Sequence, residues 1–155
     1  MRILLILALT LIACPALAES WTGPARIIDG DTLEFDQARV GLFGIDTPER
    51  DQVCSRGRYR YDCASESRAH LAKLIAGQRL QCDQAAWDPK WSRPLVRCRA
   101  GALDVNAEMV RSGYAVAFHT AEYASEENEA RAARRGLWAG EFERPYTWRK
   151  RVRTG

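Results

Sequence analysis

Ile28-Asp29-Gly30-Asp31-Thr32, followed about a dozen residues later by Gly44-Ile45-Asp46-Thr47-Pro48-Glu49-Arg50, is the stretch that decides how this chain is read. Each acidic segment closes an apolar run, Ala25 to Ile28 in the first case and Val40 to Ile45 in the second. Runs of this kind, bounded by Asp, Gly and Pro, read as short strands ending in turns. If both turns meet at one end of a small barrel, Asp31, Asp46 and Glu49 converge. Two carboxylates are then free to hold a hard cation such as calcium, which takes oxygen ligands, and the third can act as a base. The competing reading takes each segment as an ordinary turn signal with no further role.

As a pair at this separation, DGDT and GIDTPE resemble the staphylococcal nuclease family. The likeness continues through Lys90-Trp91-Ser92-Arg93, Val105 to Gly113, Ala115 to Phe118 and Arg135-Gly136-Leu137-Trp138. It implies an α+β fold, a five-stranded oligonucleotide/oligosaccharide-binding (OB-fold) barrel with three packed helices. It also implies that Asp31 and Asp46 are calcium carboxylates, with Thr47 adding its backbone carbonyl, and that Glu49 is the base that orients or activates water. Arg93 falls on a phosphate-binding arginine of the family, and Phe118 falls near a tyrosine that lines the nucleotide pocket. Trp91 could stack on a base, and Lys90 could meet a terminal phosphate as a point charge.

One departure bears on the chemistry. The family places a phosphate-gripping arginine five residues before the aspartate of the second turn, and here that position is Gly41. Losing such a clamp is expected to cost several kcal/mol, hence roughly a thousandfold in rate. Arg39 lies two residues earlier on the same strand face and is the candidate replacement.

Residues 1–18 read as a secretory signal: Arg2, an apolar core from Ile3 to Ala13, and a small-residue cleavage site at Ala16-Leu17-Ala18. Leu11-Ile12-Ala13-Cys14 also fits a lipoprotein cleavage box, so lipidation at Cys14 stays open beside cleavage after Ala18. Removing the leader takes Arg2 from 23 basic residues and leaves 22 against 20 acidic ones. Bulk charge of that size makes no case for nucleic acid, and any phosphate binding must come from local groups. Cleavage also leaves an even set of cysteines: Cys54, Cys63, Cys82 and Cys98. In a periplasmic or secreted protein these read as two disulfides. A hairpin centred near Lys90 sets Cys82 opposite Cys98, and Cys54 with Cys63 then closes the loop after the second acidic turn.

Beyond the first strands, Ala64 to Ala76 carries a helical pattern, strands follow near 79–84 and 94–99, Asp104 can cap a helix, and a last helix spans about 122–135. The expected organisation is a signal peptide at 1–18, one nuclease-like domain at 19–143 and a basic tail at 144–155. The function expected is a monomeric calcium-dependent nuclease acting on DNA and RNA, with no stable membrane span. The alternative is a nuclease-like protein of the cell envelope that binds without turnover. Nothing in the sequence suggests a nucleotide-triphosphate loop, a flavin or nicotinamide motif, or a Ser-His-Asp set.

Overall fold

Turn residues and apolar alternation break the first half of the chain into short strands, as the sequence leads one to expect. The computed structural model describes residues 19–154; the expected signal peptide and Cys14 lie outside them. The run from Ser20 to Asp29 forms two strands, β1 (Ser20–Gly23) and β2 (Arg26–Asp29). Pro24 separates them, because proline cannot donate to a ladder. They are followed by β3 (Thr32–Phe35), β4 (Ala38–Leu42) and the two-residue β5 (Ile45–Asp46).

A hairpin that the sequence did not advertise comes next, β6 (Val53–Arg56) and β7 (Tyr59–Asp62). It leads into α1 (Cys63–Ile75), whose N-terminus is capped by the Asp62 carboxylate accepting from Ser65 N–H at 2.9 Å. The long pair β8 (Leu80–Asp88) and β9 (Arg93–Ala100) turns at Lys90, as expected. After β10 (Leu103–Asp104), Asp104 caps α2 (Val105–Arg111) by accepting from Ala107 N–H. The chain closes with β11 (Val116–Ala117), α3 (Ala124–Ala132), a 3-10 turn at Gly136–Ala139, and α4 (Pro145–Thr154).

The expectation of three helices is therefore corrected to four α-helices among the described residues, and the segment expected as a basic tail is the fourth. Proline is favoured at a first helical position, and nothing from Tyr146 to Thr154 breaks a helix. What hid it was overall polarity, which leaves only Pro145, Trp148 and Val152 as a thin apolar stripe among charged residues. No helix among the described residues is long and apolar enough to cross a membrane.

The main sheet has seven strands in the order β1-β8-β9-β4-β3-β2, with β10 pairing β9. It is mixed: β4 runs parallel to β9, while the other pairs are antiparallel. β5 pairs with β11, and β6 with β7, as two small separate sheets. The core lies between the main sheet and the helices, where Leu33, Val40, Leu71, Leu80, Val96 and Met109 are wholly buried. Both expected disulfides are present, Cys54–Cys63 and Cys82–Cys98, the second between residues directly opposed on β8 and β9.

Asn106 pins the helical layer to the sheet. It is completely buried; its carbonyl accepts from Cys98 N–H at 3.0 Å, and its amide donates to the Phe43 and Val96 carbonyls at 2.9 and 3.0 Å. Asn106→Ala would leave two backbone groups, Cys98 N–H and the Phe43 carbonyl, without this partner, while the Val96 carbonyl keeps Phe43 N–H at 2.8 Å; each loss costs about 1–3 kcal/mol. We expect a loss of roughly 3–5 kcal/mol in urea unfolding, near the upper end for a single substitution.

Candidate active site

The two acidic turns meet. The first joins β2 to β3 and the second follows β5, and Leu42 N–H donates to the Asp31 carbonyl at 2.8 Å to draw β4 against the first turn. Thr47 N–H donates to Asp31 Oδ2 at 3.3 Å, linking the turns directly. Gly30 permits this contact. A Cβ there would stand 3.0 Å from Ser67 Cβ and 3.1 Å from the Thr47 side chain, so this glycine serves close packing between the turns and α1. Asp29, the first acidic residue of that stretch, accepts from Arg50 Nη2 at 3.4 Å.

Asp46 is buried at 4% exposure and Thr47 at 3%, whereas Glu49 is half-buried. The Glu49 turn is braced by Gln52, a buried residue that sequence reading did not single out. Glu49 N–H donates to Gln52 Oε1 at 3.2 Å, Gln52 N–H returns to the Glu49 carbonyl at 2.8 Å, and Gln52 Nε2 donates to the Glu143 carbonyl at 2.6 Å. A glutamine three residues after the glutamate in an otherwise charged turn is the one available signal, and it is a weak one.

Arg93 reaches the same place from β9. Its Nη1 donates to Thr32 Oγ1 at 2.7 Å, and that hydroxyl donates onward to Asp31 Oδ1 at 2.9 Å. Arg93 Nε is buried without a hydrogen-bond partner among the described residues, 4.0 Å from Asp88 Oδ2. The guanidinium lies directly over Gly41: a Cβ on that glycine would come within 3.1 Å of Arg93 Cζ and 2.8 Å of Leu95 Cδ2.

The structure does not bring Arg39 to the cluster. It pairs across the strands with Glu34, Nε to Oε2 at 3.0 Å, and Arg26 engages the same carboxylate. Lys90 and Trp91 stand apart as well, at the exposed tip of the β8–β9 hairpin, with Lys90 Nζ 4.5 Å from the Trp91 ring centroid. The Asp88 carboxylate shapes that tip by accepting from Lys90 and Trp91 N–H. Phe118 follows β11, its N–H bonded to the Gly44 carbonyl at 2.9 Å, and its ring stands 5.5 Å from that of Tyr146 on α4.

The residue that sequence reading missed is Arg149. Its Nη1 donates to Asp46 Oδ1 and to Glu49 Oε1, both at 2.7 Å, and its Nη2 donates to Asp46 Oδ2 at 3.0 Å. Burial pushes the Asp46 carboxyl up to about 6; hydrogen bonding and charge from Arg149 oppose that shift, while Asp31 and Glu49 add to it. Burial works against the charge on Arg149, but its bonds to Asp46 and Glu49 prevail and raise its pKa further above the ordinary arginine range. The guanidinium therefore stays cationic.

Asp31, Asp46 and the Thr47 carbonyl, the ligands that the family resemblance implies, offer oxygen donors alone, and such donors suit a hard cation and not a soft one. No group of three His, Cys, Asp or Glu side chains is gathered around one metal position among the described residues. A cation here would thus take two carboxylates, a carbonyl and water, and it would share Asp46 with Arg149.

Residues 39–140 match the family described as "Staphylococcal nuclease homologue". The chain is 38% identical over 132 residues to "Succinoglycan biosynthesis protein ExoI" of Rhizobium meliloti (strain 1021), covering 81% of this chain and 69% of that one. It is 31% identical over 138 residues to an "Uncharacterized endonuclease" of Escherichia coli O157:H7, covering 81% and 82%. It is 34% identical over 117 residues to "Probable staphylococcal-like nuclease CAN2" of Oryza sativa subsp. japonica, covering 72% of this chain but 29% of the plant protein.

The packing over Gly41 can be tested without any assay of activity. Gly41→Ala must push Leu95 and Arg93 aside, and overpacking of this kind costs about 1–2 kcal/mol when flexible side chains can yield. Urea unfolding should show that loss, and Gly41→Arg should show at least as much.

Proposed function

The chain belongs to the staphylococcal nuclease family, and from that premise we propose that it is a calcium-dependent endonuclease hydrolysing phosphodiester bonds of DNA and RNA with little sequence preference. In this reading it is exported to the periplasm or beyond after removal of residues 1–18, acts as a monomer, and curls its main sheet into an OB-fold barrel. The observation that carries the activity is the meeting of Asp31, Asp46 and Glu49 at one end of that sheet, with Arg93 tied to Asp31 through Thr32.

Calcium held by Asp31, Asp46 and the Thr47 carbonyl would supply positive charge to the phosphoryl oxygens as the transition state forms. The chain's own groups do the rest. Glu49, half-open to solvent, accepts the proton of the attacking water or orients it. Arg93 offers its guanidinium to the phosphate, with its Nε buried over Gly41 and beside the Asp88 carboxylate. Phe118 gives a ring against which a base can rest. By family resemblance the products carry 3′-phosphates.

One observation favours a second reading, a nuclease-like binding or accessory protein of the cell envelope. Gly41 carries no side chain at the family's clamp position, and Arg149 already occupies the carboxylates of Asp46 and Glu49. The relative named for succinoglycan biosynthesis supports this direction.

Digestion of single-stranded DNA by the mature protein, with calcium and with chelator in parallel, separates the two. We expect cleavage that needs calcium and that Glu49→Gln lowers by about 100-fold or more, the usual contribution of a general base. A folded, calcium-binding protein that cuts nothing would instead establish the envelope reading.

Calcium affinity should also depend on pH with a definite sign. The cation takes the ionised carboxylate, and Asp46 gains its proton as the pH falls through about 6. Protons then compete with the metal, so titration calorimetry should find weaker binding at about pH 5 than at about pH 7.5, with a plateau above.

A further inference from the structure

We propose that Arg149 is a phosphate-binding residue of the site, the guanidinium that α4 supplies in place of the one Gly41 lacks; this rests on the nuclease reading above. Neither candidate on β4 can fill that role. Gly41 has no side chain and its space is taken by Arg93, while Arg39 is bound to Glu34.

Arg149 is delivered to the site by a series of fixed contacts. Ser55 and Glu141 exchange two backbone hydrogen bonds at 2.9 and 2.8 Å, and Gln52 holds the Glu143 carbonyl. Arg144 then forms a bidentate pair with the buried Glu127, whose other bond is to Ala117 N–H on β11. These anchors begin α4 beside β11 and set Tyr146, Arg149 and Lys150 on the helix face toward Phe118, three and four residues apart as one face requires.

The donor arithmetic shows what Arg149 has left to give. A guanidinium carries five N–H groups. Both on Nη1 are used, one on Asp46 and one on Glu49, and one on Nη2 is used on Asp46. The remaining two, Nε–H and the second Nη2–H, have no partner among the described residues. They lie side by side on one edge and form the fork that grips a phosphate through two parallel hydrogen bonds.

About a fifth of the side chain is open to solvent. The Phe118 and Tyr146 rings border the guanidinium, 5.7 and 6.0 Å from its central carbon, and Lys150 Nζ lies 4.5 Å from the Tyr146 ring. A phosphate on the open fork would therefore have an aromatic wall for an adjoining base and a second cation nearby. The ligand class is a single-stranded phosphodiester, and the carboxylates of Asp46 and Glu49 serve to aim the fork at it.

The test compares wild type with Arg149→Ala, Arg149→Lys and, as a control, Arg151→Ala, whose exposed side chain pairs with Glu143. Cleavage of single-stranded DNA is measured alongside binding of a single-stranded phosphorothioate oligonucleotide over a range of salt. We expect Arg149→Ala to lose about 100-fold or more in kcat, as when one preorganised donor is removed. Its salt slope for oligonucleotide binding should also shrink by about 0.7, the value of one phosphate contact on a single strand.

Arg149→Lys keeps the charge and lacks the fork, so it should hold the fold and the slope but lose about tenfold in rate; it carries the test if the alanine variant does not fold. Arg151→Ala should change neither quantity. An Arg149→Ala protein that cuts as fast as wild type or faster, or that loses rate with no change in slope, would overturn the proposal and leave Arg149 as a counter-ion only. An Arg149→Lys protein equal to wild type in rate would overturn the fork. A wild type that neither binds nor cuts the strand would bring down the nuclease reading itself, and this inference with it.

Discussion

Asp46 is a carboxylate the fold has taken out of water, and much of the site is organised around that fact. Its side chain is 5% exposed, and burial of a charge costs several kcal/mol unless an opposite charge and hydrogen bonds meet it. The strand that buries it is short, β5 against β11 alone, so local pairing contributes little toward that cost. Asp31 and Glu49 worsen matters, because two like charges share the neighbourhood. A positive group must therefore stand at Asp46. Arg149 meets this need with both ends of its fork, and a hard cation would meet it by the same electrostatics.

That requirement explains why the end of the chain is so firmly tied. A helix whose apolar stripe is only Pro145, Trp148 and the exposed Val152 has little to dock by, and alone in water its length would leave it marginal. Here the docking is done just upstream, by Ser55 with Glu141, Gln52 with Glu143 and Glu127 with Arg144, and then by Arg149 itself. Each of these partners belongs to an element that also shapes the active turns. Gln52 braces Glu49 with one end of its side chain and holds the approach to α4 with the other, so Glu49 and the helix are positioned together.

The parts of this arrangement that are local in sequence were legible. The turn pair around Asp31 and Asp46, the cap at Asp104, and the β8–β9 hairpin that sets Cys82 against Cys98 all follow from neighbours or from simple alternation. The β6–β7 hairpin was not legible, since Arg, Ser and Tyr alternate there without a clear apolar face. Arg149 lay out of reach for a different reason. It meets Asp46 across 103 residues and Glu49 across 100, and no period or motif in a single sequence encodes a contact of that range. The basic run at the end looked like a solvated tail because most of its charges are indeed solvated; only one turns inward.

The replacement of a clamp on β4 by glycine then takes on a different sense. An arginine at position 41 and the present Arg93 would compete for one volume, since even a methyl group there reaches the Arg93 guanidinium. With Gly41, Arg93 can lie flat across β4 and bond to Thr32, which in turn fixes Asp31. Position 41, without a side chain, thus leaves room for a charge from β9, while α4 brings another to Asp46 and Glu49. What a phosphate needs is positive donors at set distances, and the strand or helix that carries them is immaterial to the chemistry. A glycine at the familiar place is therefore weak evidence of a dead site when two guanidinium groups already stand near the carboxylates.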